Sequence, residues 1–363
     1  MRLCRVRLSQ FRCFEHIDWE PQPGLNVLLG ANGMGKTSIL ESIHVMAYGR
    51  SFRGHGRDIL VRKDQSECMI VLDWVETSQD SARQRRAGLR HAHQQWEAKL
   101  DGIAIQQLYT LFQACAVITF EPGSHALVTG SSQLRRRFLD WGLFHVKQSF
   151  MPLWRRYARG LKQRNLLLKQ HLHSADLDAW DQEIALAGEQ ITAMRMEYLD
   201  RWQCRMVQVA QRIAPQLGLD AIVFNPGWRR EESSLSDSLL RARERDCRLG
   251  YTTVGPHRAD WSPVFTEIPG VVGLSRGQAK LTALSCLLAQ SEDVRSEKGQ
   301  WPVLVLDDLA SELDGFHQNL LLAYLAEQSS QVLITATEVP LWDRQYMQQS
   351  TMFHVKHHGV ESI

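Results

Sequence analysis

Gly30-Ala31-Asn32-Gly33-Met34-Gly35-Lys36-Thr37 has the residue types and spacing of a phosphate-binding loop. Glycines at 30, 33 and 35 let the backbone curl until successive N–H groups face one point, where the N-terminus of a following helix favours an anion. Lys36 would reach the outer phosphates of a nucleotide, and Thr37 offers a hydroxyl to Mg²⁺. Such a loop has to sit between a strand and a helix. Both flanks are present, with apolar Leu25-Asn26-Val27-Leu28-Leu29 before it and Ser38-Ile39-Leu40-Glu41-Ser42-Ile43 after it. The chain therefore reads as a nucleotide-binding protein.

Two later stretches carry related chemistry. Val303-Leu304-Val305-Leu306 suits a buried strand and ends in the paired carboxylates Asp307 and Asp308. Two acids there cost desolvation energy unless a cation or hydrogen bonds compensate, and Mg²⁺ shared with Thr37 would do so. Asp307 is the expected metal-side ligand. Asp308 would orient or deprotonate an attacking water, or else cap the turn into Leu309-Ala310-Ser311-Glu312-Leu313-Asp314. Upstream, Ser275-Arg276-Gly277-Gln278 opens the helical run 281–289, so Ser275, Gly277 and Gln278 can form a second anion site. By itself that pattern is equally an ordinary helix cap.

The elements that position these residues come from both ends of the chain. From residue 3 to about 130, Leu3, Val6, Leu8 and Phe11, then Met69-Ile70-Val71-Leu72, then Ala116-Val117-Ile118 read as strands. The polar stretch 78–95, with Arg83, Arg85, Arg86 and Arg90, reads as a loop or irregular hairpin. Over 133–215 large apolar residues recur at helical spacing, as in Phe138, Trp141 and Phe144 and again in Ile184, Ile191, Met194 and Tyr198. Ser174 or Asp176 can cap a returning helix, which predicts an antiparallel helical hairpin. Its tryptophans, Trp141, Trp154, Trp180 and Trp202, are read as packing residues. The expected organisation is an α/β head from residues 1–130 and 246–363 with a helical arm, 131–245, inserted between them.

With 363 residues, 44% hydrophobic and 23% charged, the chain can bury a core for about two domains. No stretch approaches the roughly 20 apolar residues of a membrane span. The polar start Met1-Arg2-Leu3-Cys4-Arg5 lacks a secretion signal, so a cytosolic protein with no membrane partner is expected. Seven scattered cysteines without C-x-x-C spacing argue against a disulfide framework or zinc site and read as reduced, mainly core residues. The net charge of +2 is unevenly spread, with ten basic residues and one acid, Asp140, between positions 131 and 170. That balance suits a polyanion, or a solvated helix face.

The phosphate loop, the Ser-x-Gly-Gln cap and the strand ending in Asp307 and Asp308, in this order, resemble the ABC-type ATPases of the chromosome-maintenance and DNA-repair branch. Phe11-Arg12, Phe120-Glu121-Pro122, Val128-Thr129-Gly130-Ser131, Arg135-Arg136-Arg137-Phe138-Leu139-Asp140, Thr253-Val254-Gly255-Pro256-His257-Arg258-Ala259-Asp260 and Phe353-His354-Val355 narrow the resemblance to the RecF family over nearly the whole chain. The resemblance implies an ABC-type P-loop ATPase head with an inserted arm, binding ATP and Mg²⁺. ATP would join two heads into a homodimer, with Ser275 and Gly277 against the partner's nucleotide, and Asp314 coupling the two sites. It implies single-stranded and gapped DNA as ligand, slow hydrolysis, RecR and RecO as partners in loading RecA, and a role in the SOS response. Many ABC-type ATPases carry a histidine on the strand after the acidic motif, where this chain offers Thr335 and Thr337. His257 and Arg258 are read as either DNA-facing or structural, and neither His257 nor His357-His358 as a metal site. A transport ATPase subunit would share the three phosphate elements, and a P-loop small-molecule kinase the first.

Overall fold

Strand β1 (Arg2–Phe11) buries Leu3, Val6, Leu8 and Phe11 and pairs antiparallel with β2 (Phe14–Trp19). Strand β3 (Leu25–Leu29) belongs to another sheet and leads through the glycine loop into α1 (Lys36–Tyr48). Strands β4 (Glu67–Thr77), β5 (Ala82–Ala92), β6 (Gln95–Leu100) and β7 (Ile103–Ile105) complete an antiparallel sheet of order β2-β1-β4-β5-β6-β7. The computed structural model describes residues 1–54, 56–77, 82–93, 95–170, 174–356 and 359–363, with backbone alone at 57, 58 and 174–176. The predicted cap at Ser174 or Asp176 and the pair His357-His358 therefore fall outside the described side chains.

Over 82–92 the polar stretch is a regular strand, a correction to the loop or irregular hairpin expected. Its arginines face carboxylates across the sheet: Arg86 donates to Asp73 at 2.5 Å, Arg85 to Asp101 at 2.7 Å and to Glu76 at 3.2 Å, and Arg90 to Glu67. Cross-strand charge pairs support a strand whose composition hides the alternation.

After α2 (Leu108–Ala114) and β8 (Val117–Phe120) the chain enters a second compact unit, His125–Gln211 with Pro215–Ala283. The first unit comprises Met1–Ser124, Arg212–Ala214 and Leu284–Ile363. The second begins with α3 (Ala126–Thr129), α4 (Ser132–Val146), α5 (Phe150–Gln170) and α6 (Ser174–Ile213). Helices α5 and α6 run antiparallel, Arg156 pairing with Glu183 and Arg164 with Asp181. They pack so closely that a Cβ on Gly160 would lie 2.7 Å from Ile184. Trp202 is fully buried against Phe138 and Trp261, as the packing reading requires, whereas Trp154 is 38% exposed. Strand β9 (Leu219–Asn225), helix α7 (Leu235–Leu249) and β10 (Asp260–Phe265), antiparallel to β9, carry this unit beyond the helices, and α8 (Arg276–Lys298) leads out of it.

Strand β11 (Val303–Leu306), α9 (Leu309–Glu312), α10 (Gly315–Ala326), β12 (Val332–Ala336), α11 (Arg344–Gln348), β13 (Ser350–Lys356) and β14 (Gly359–Ser362) finish the first unit. Its second sheet has the order β14-β13-β3-β12-β11-β8, parallel except for the edge strand β14. Strands β8, β11 and β12 are buried along their length, and for that reason they read as mainly apolar runs, interrupted only by Thr119 and Thr335. Helix α1 buries Ile39, Leu40, Ile43, Val45 and Met46 in the core shared with β1 and β4, which fixes the phosphate loop at its N-terminus.

Candidate nucleotide site

The loop leaves β3 at Gly30, where a Cβ would lie 2.8 Å from the Val355 carbonyl oxygen. It ends at Gly35, whose φ of +96° is unsuited to other residues and whose Cβ would lie 2.3 Å from the Phe14 ring and 2.8 Å from Cys13 Sγ. Lys36 folds back over the loop, its Nζ donating to Gly30 O at 2.5 Å and Ala31 O at 3.0 Å. Burial lowers its pKa, while Asp308 and Asp307 oppose that shift. The loop is thus a cradle of backbone donors with a partly desolvated cation at its rim.

Strand β11 delivers the carboxylates to the same place. Thr37 Oγ1 donates to Asp307 Oδ1 at 2.9 Å, and Thr335 Oγ1 donates to the same oxygen at 2.8 Å. Burial raises the Asp307 pKa, with the two hydroxyls acting against it. Asp308 adopts a left-handed conformation (φ 53°), and its N–H donates to Thr335 Oγ1 at 2.8 Å. Its carboxylate accepts from the Ser311 hydroxyl in the turn that follows, at 2.5 Å, and bonds no backbone N–H of that turn. Thr335 ties both aspartates together.

These residues line one cavity of about 820 Å³, which contains Asn32, Gly33, Gly35, Lys36, Thr37, Asp307 and Asp308. Gly30, Ala31 and Met34 belong to the loop without lining that space. Sequence reasoning missed Arg53, Lys63 and Glu121 in the lining and left Arg12 unassigned. Arg12 donates at 2.5 and 2.8 Å to the fully buried Glu41 of α1, which Ser51 also bonds. The signal was legible: a carboxylate inside the apolar run Ile39-Leu40-Glu41-Ser42-Ile43 needs a cation partner. The chemistry of the donor set fits a triphosphate with Mg²⁺: backbone amides and Lys36 for phosphate oxygens, a hydroxyl and a carboxylate for a hard cation.

The remaining expected site residues lie elsewhere. Ser275, Gly277 and Gln278 open α8 in the second unit and do not line this cavity. Ser275 N donates to Gln278 Oε1 at 2.9 Å and Gln278 N to Ser275 Oγ at 3.2 Å, a reciprocal capping box. A Cβ on Gly277 would touch nothing within 4 Å. Asp314 caps α10, accepting from His317 N at 2.9 Å, and that bond holds its carboxyl below the usual range.

His257 is structural. Its Nε2 lies 3.0 Å from the Thr252 carbonyl, which can only accept, so Nδ1 accepts from Tyr157 Oη at 2.6 Å. Burial pushes its pKa down to about 4, and among the described residues no group of three or more His, Cys, Asp or Glu side chains is placed to hold a metal ion. Several members of the basic run are engaged inside the protein, a third role beside the polyanion surface and the solvated helix face anticipated for it. Arg135 pairs with Asp260, Arg136 donates to Ala259 O, Lys147 pairs with Glu197, Arg156 with Glu183, and the fully buried Arg164 with Asp181 and Asp246. All seven cysteines are free, but three are buried, Cys68, Cys115 and Cys286, so most do not belong to the core.

Known proteins match this chain over its whole length. The model for the RecF/RecN/SMC N terminal domain matches residues 2–361. A DNA replication and repair protein RecF of Stenotrophomonas maltophilia (strain R551-3) is 55% identical over 364 residues, covering 100% of both chains. The RecF of Shewanella denitrificans is 32% identical, again with full coverage. Among solved structures, the recombination mediator RecF–ATP of the RecFOR pathway superposes with a TM-score of 0.85 at 23% identity, covering 100% of this chain and 97% of that one. An Smc head domain from Pyrococcus furiosus, bound to the C-terminal domain of ScpA, superposes at 0.56 with 12% identity, covering 100% and 96%. The fold is accordingly that of an ABC-type ATPase head of the SMC group.

Proposed function

The chain belongs to the RecF family, and from that premise we propose that it is an ATP-dependent, DNA-binding recombination mediator of DNA repair and replication. In this reading it binds single-stranded and gapped DNA in the cytoplasm, acts with RecO and RecR to load RecA, and supports the SOS response. A similarly folded protein bears the RecFOR name and binds ATP, which favours both the cofactor and the pathway. Among the described residues no helix is long and apolar enough to cross a membrane.

ATP with Mg²⁺ supplies an anion that two heads can hold in common and a bond whose hydrolysis ends that state. Lys36 and the loop N–H groups from Gly30 to Thr37 hold the triphosphate, and Thr37 with Asp307 holds the metal. Asp308 takes a proton from the attacking water on its carboxylate, giving a weak DNA-dependent ATPase. Ser275, Gly277 and Gln278 of one copy close over the nucleotide of the other in an ATP-dependent homodimer. The open space around Gly277 suits the close approach of a ligand.

The observation that carries this reading is the Thr37–Asp307 hydrogen bond beside Lys36, in a chain that matches a RecF over all of that protein's length. It is tested by sedimentation of the purified protein with and without Mg-ATP, then with gapped duplex at two salt concentrations. A dimer that needs ATP, retains DNA at low salt and loses it at high salt is expected. Lys36→Ala should abolish that dimer and Asp308→Asn should prolong it. A monomer indifferent to ATP and DNA would overturn the proposal.

A further inference from the structure

In the second unit a cavity of about 800 Å³ is lined by Arg229, Arg241, Arg245 and Arg258 with one acid, Glu232. Four positive charges against one negative leave a net +3 around one concave surface. Arg241 and Arg245 are four residues apart on α7 and so share a face of it. Arg245 is steadied by Thr253 Oγ1. Arg258 lies 5.1 Å over the Tyr251 ring and donates to Thr252 O at 3.1 Å. Arg241 makes no hydrogen bond or ion pair among the described residues.

Elsewhere in this chain many arginines are neutralised by acids. On β5, Arg85, Arg86 and Arg90 each face acids, and in the helical hairpin Arg156 and Arg164 do the same. In the α7 cavity Arg229 pairs with Glu232 at 3.3 Å, while Arg241, Arg245 and Arg258 meet no acid among the described residues. Their summed field in a concave surface concentrates anions.

The lining also indicates which anion. Guanidinium planes match phosphate oxygens two at a time. The cavity is several times larger than one phosphate, so a polymer or large ligand is needed to engage all the arginines. Its one aromatic, Trp228, is 7% exposed and offers no free face for a base to stack on. Contact with a phosphodiester backbone, without base readout, is what remains.

We propose that the α7 cavity is a backbone-binding site for a nucleic-acid strand, gripping phosphates through Arg241, Arg245 and Arg258. The inference rests on the DNA-binding reading above and adds the surface responsible for it.

The test is fluorescence anisotropy of the full chain with Mg-ATP and a labelled oligothymidine across a salt series. The Arg241→Gln/Arg245→Gln variant should bind at least about tenfold more weakly. Its slope of log affinity against log salt should fall by about 1.4, because each phosphate of a single strand that an arginine neutralises adds roughly 0.7 to that slope. The control Arg83→Gln/Arg86→Gln, with the same charge change on β5, should match wild type in both. Should the double variant fold poorly, Arg241→Gln alone removes no internal bond among the described residues and should lower the slope by about 0.7. Wild type that binds while the variants bind equally well would overturn the site and leave the DNA reading intact. Wild type that does not bind the oligonucleotide would overturn the DNA reading itself. Binding of polyglutamate through these arginines without oligonucleotide binding would assign the cavity to an acidic peptide and overturn the inference.

Discussion

Thr37 and Asp307 lie 270 positions apart, and a 2.9 Å hydrogen bond from the threonine hydroxyl joins the phosphate loop to the acidic strand. Asp307 Oδ1 also accepts from Thr335. One buried carboxylate oxygen therefore serves as the anchor between β11, β12 and the start of α1.

The first prediction follows from that shared oxygen. Asp307→Asn keeps the shape but loses the charge a hard cation needs. ATP affinity measured calorimetrically should depend on Mg²⁺ in wild type, and the ratio of affinities with Mg²⁺ and with EDTA should fall toward one in the variant. An unchanged ratio would remove Asp307 from the metal site.

Thr335 gives the second. Its hydroxyl accepts from Asp308 N–H and donates to Asp307, so Thr335→Val leaves a part-buried N–H and a carboxylate oxygen each short of a partner. A loss of about 1–3 kcal/mol in denaturant unfolding is expected. Hydrolysis should fall more than ATP affinity, because Asp308 loses the bond that holds its left-handed turn. Thr335→Ser should restore both. Equal losses in rate and affinity, without rescue, would mean that Thr335 merely fills space.

Much of this site was legible in the sequence because its chemistry is local. The loop needs glycines at fixed positions, and β3 and β11 sit buried in a parallel sheet, which leaves apolar runs broken only by Asn26 in β3. The helical hairpin was legible for a similar reason, since apolar spacing along α5 and α6 reports the face each helix buries. What escaped depends on pairing at a distance. The β5 arginines looked like loop residues because the acids that neutralise them stand on β4 and after β6. The internal pairing of Arg135, Arg156 and Arg164 in the basic run was hidden because their acids, Asp260, Glu183, Asp181 and Asp246, come later in the chain.

The loop glycines differ in what holds them, and this is the third prediction. Both Gly33 and Gly35 have positive φ, +84° and +96°, but a Cβ on Gly33 meets nothing within 4 Å whereas one on Gly35 strikes Phe14 and Cys13. Gly33→Ala should cost about 1 kcal/mol of conformational strain. Gly35→Ala adds an overpacking cost of about 1–3 kcal/mol. Unfolding in urea should rank them in that order, and equal stability losses would contradict the close packing of Phe14 beneath the loop.

His257 gives the last prediction, for the stability of the second unit against pH. Burial is the largest cause of its lowered pKa, with Arg258, Arg136 and Arg164 adding repulsion, and the Thr252 carbonyl acting the other way. In the unfolded chain this imidazole takes up a proton near 6.5, but in the folded unit not until about 4. Between those values the unfolded state binds more protons, so stability present above pH 6.5 is lost as pH falls and the loss levels off below about 4. Full expression of that shift corresponds to on the order of 3 kcal/mol. His44 in the first unit is likewise pushed down, to about 3, so the measurement is a difference between wild type and His257→Gln. In urea unfolding series the stability advantage of wild type should be constant above pH 6.5 and shrink steadily toward pH 4. An advantage that stays constant across that window would show that His257 titrates alike in both states, and the neutral imidazole bridging Tyr157 and Thr252 would have to be abandoned.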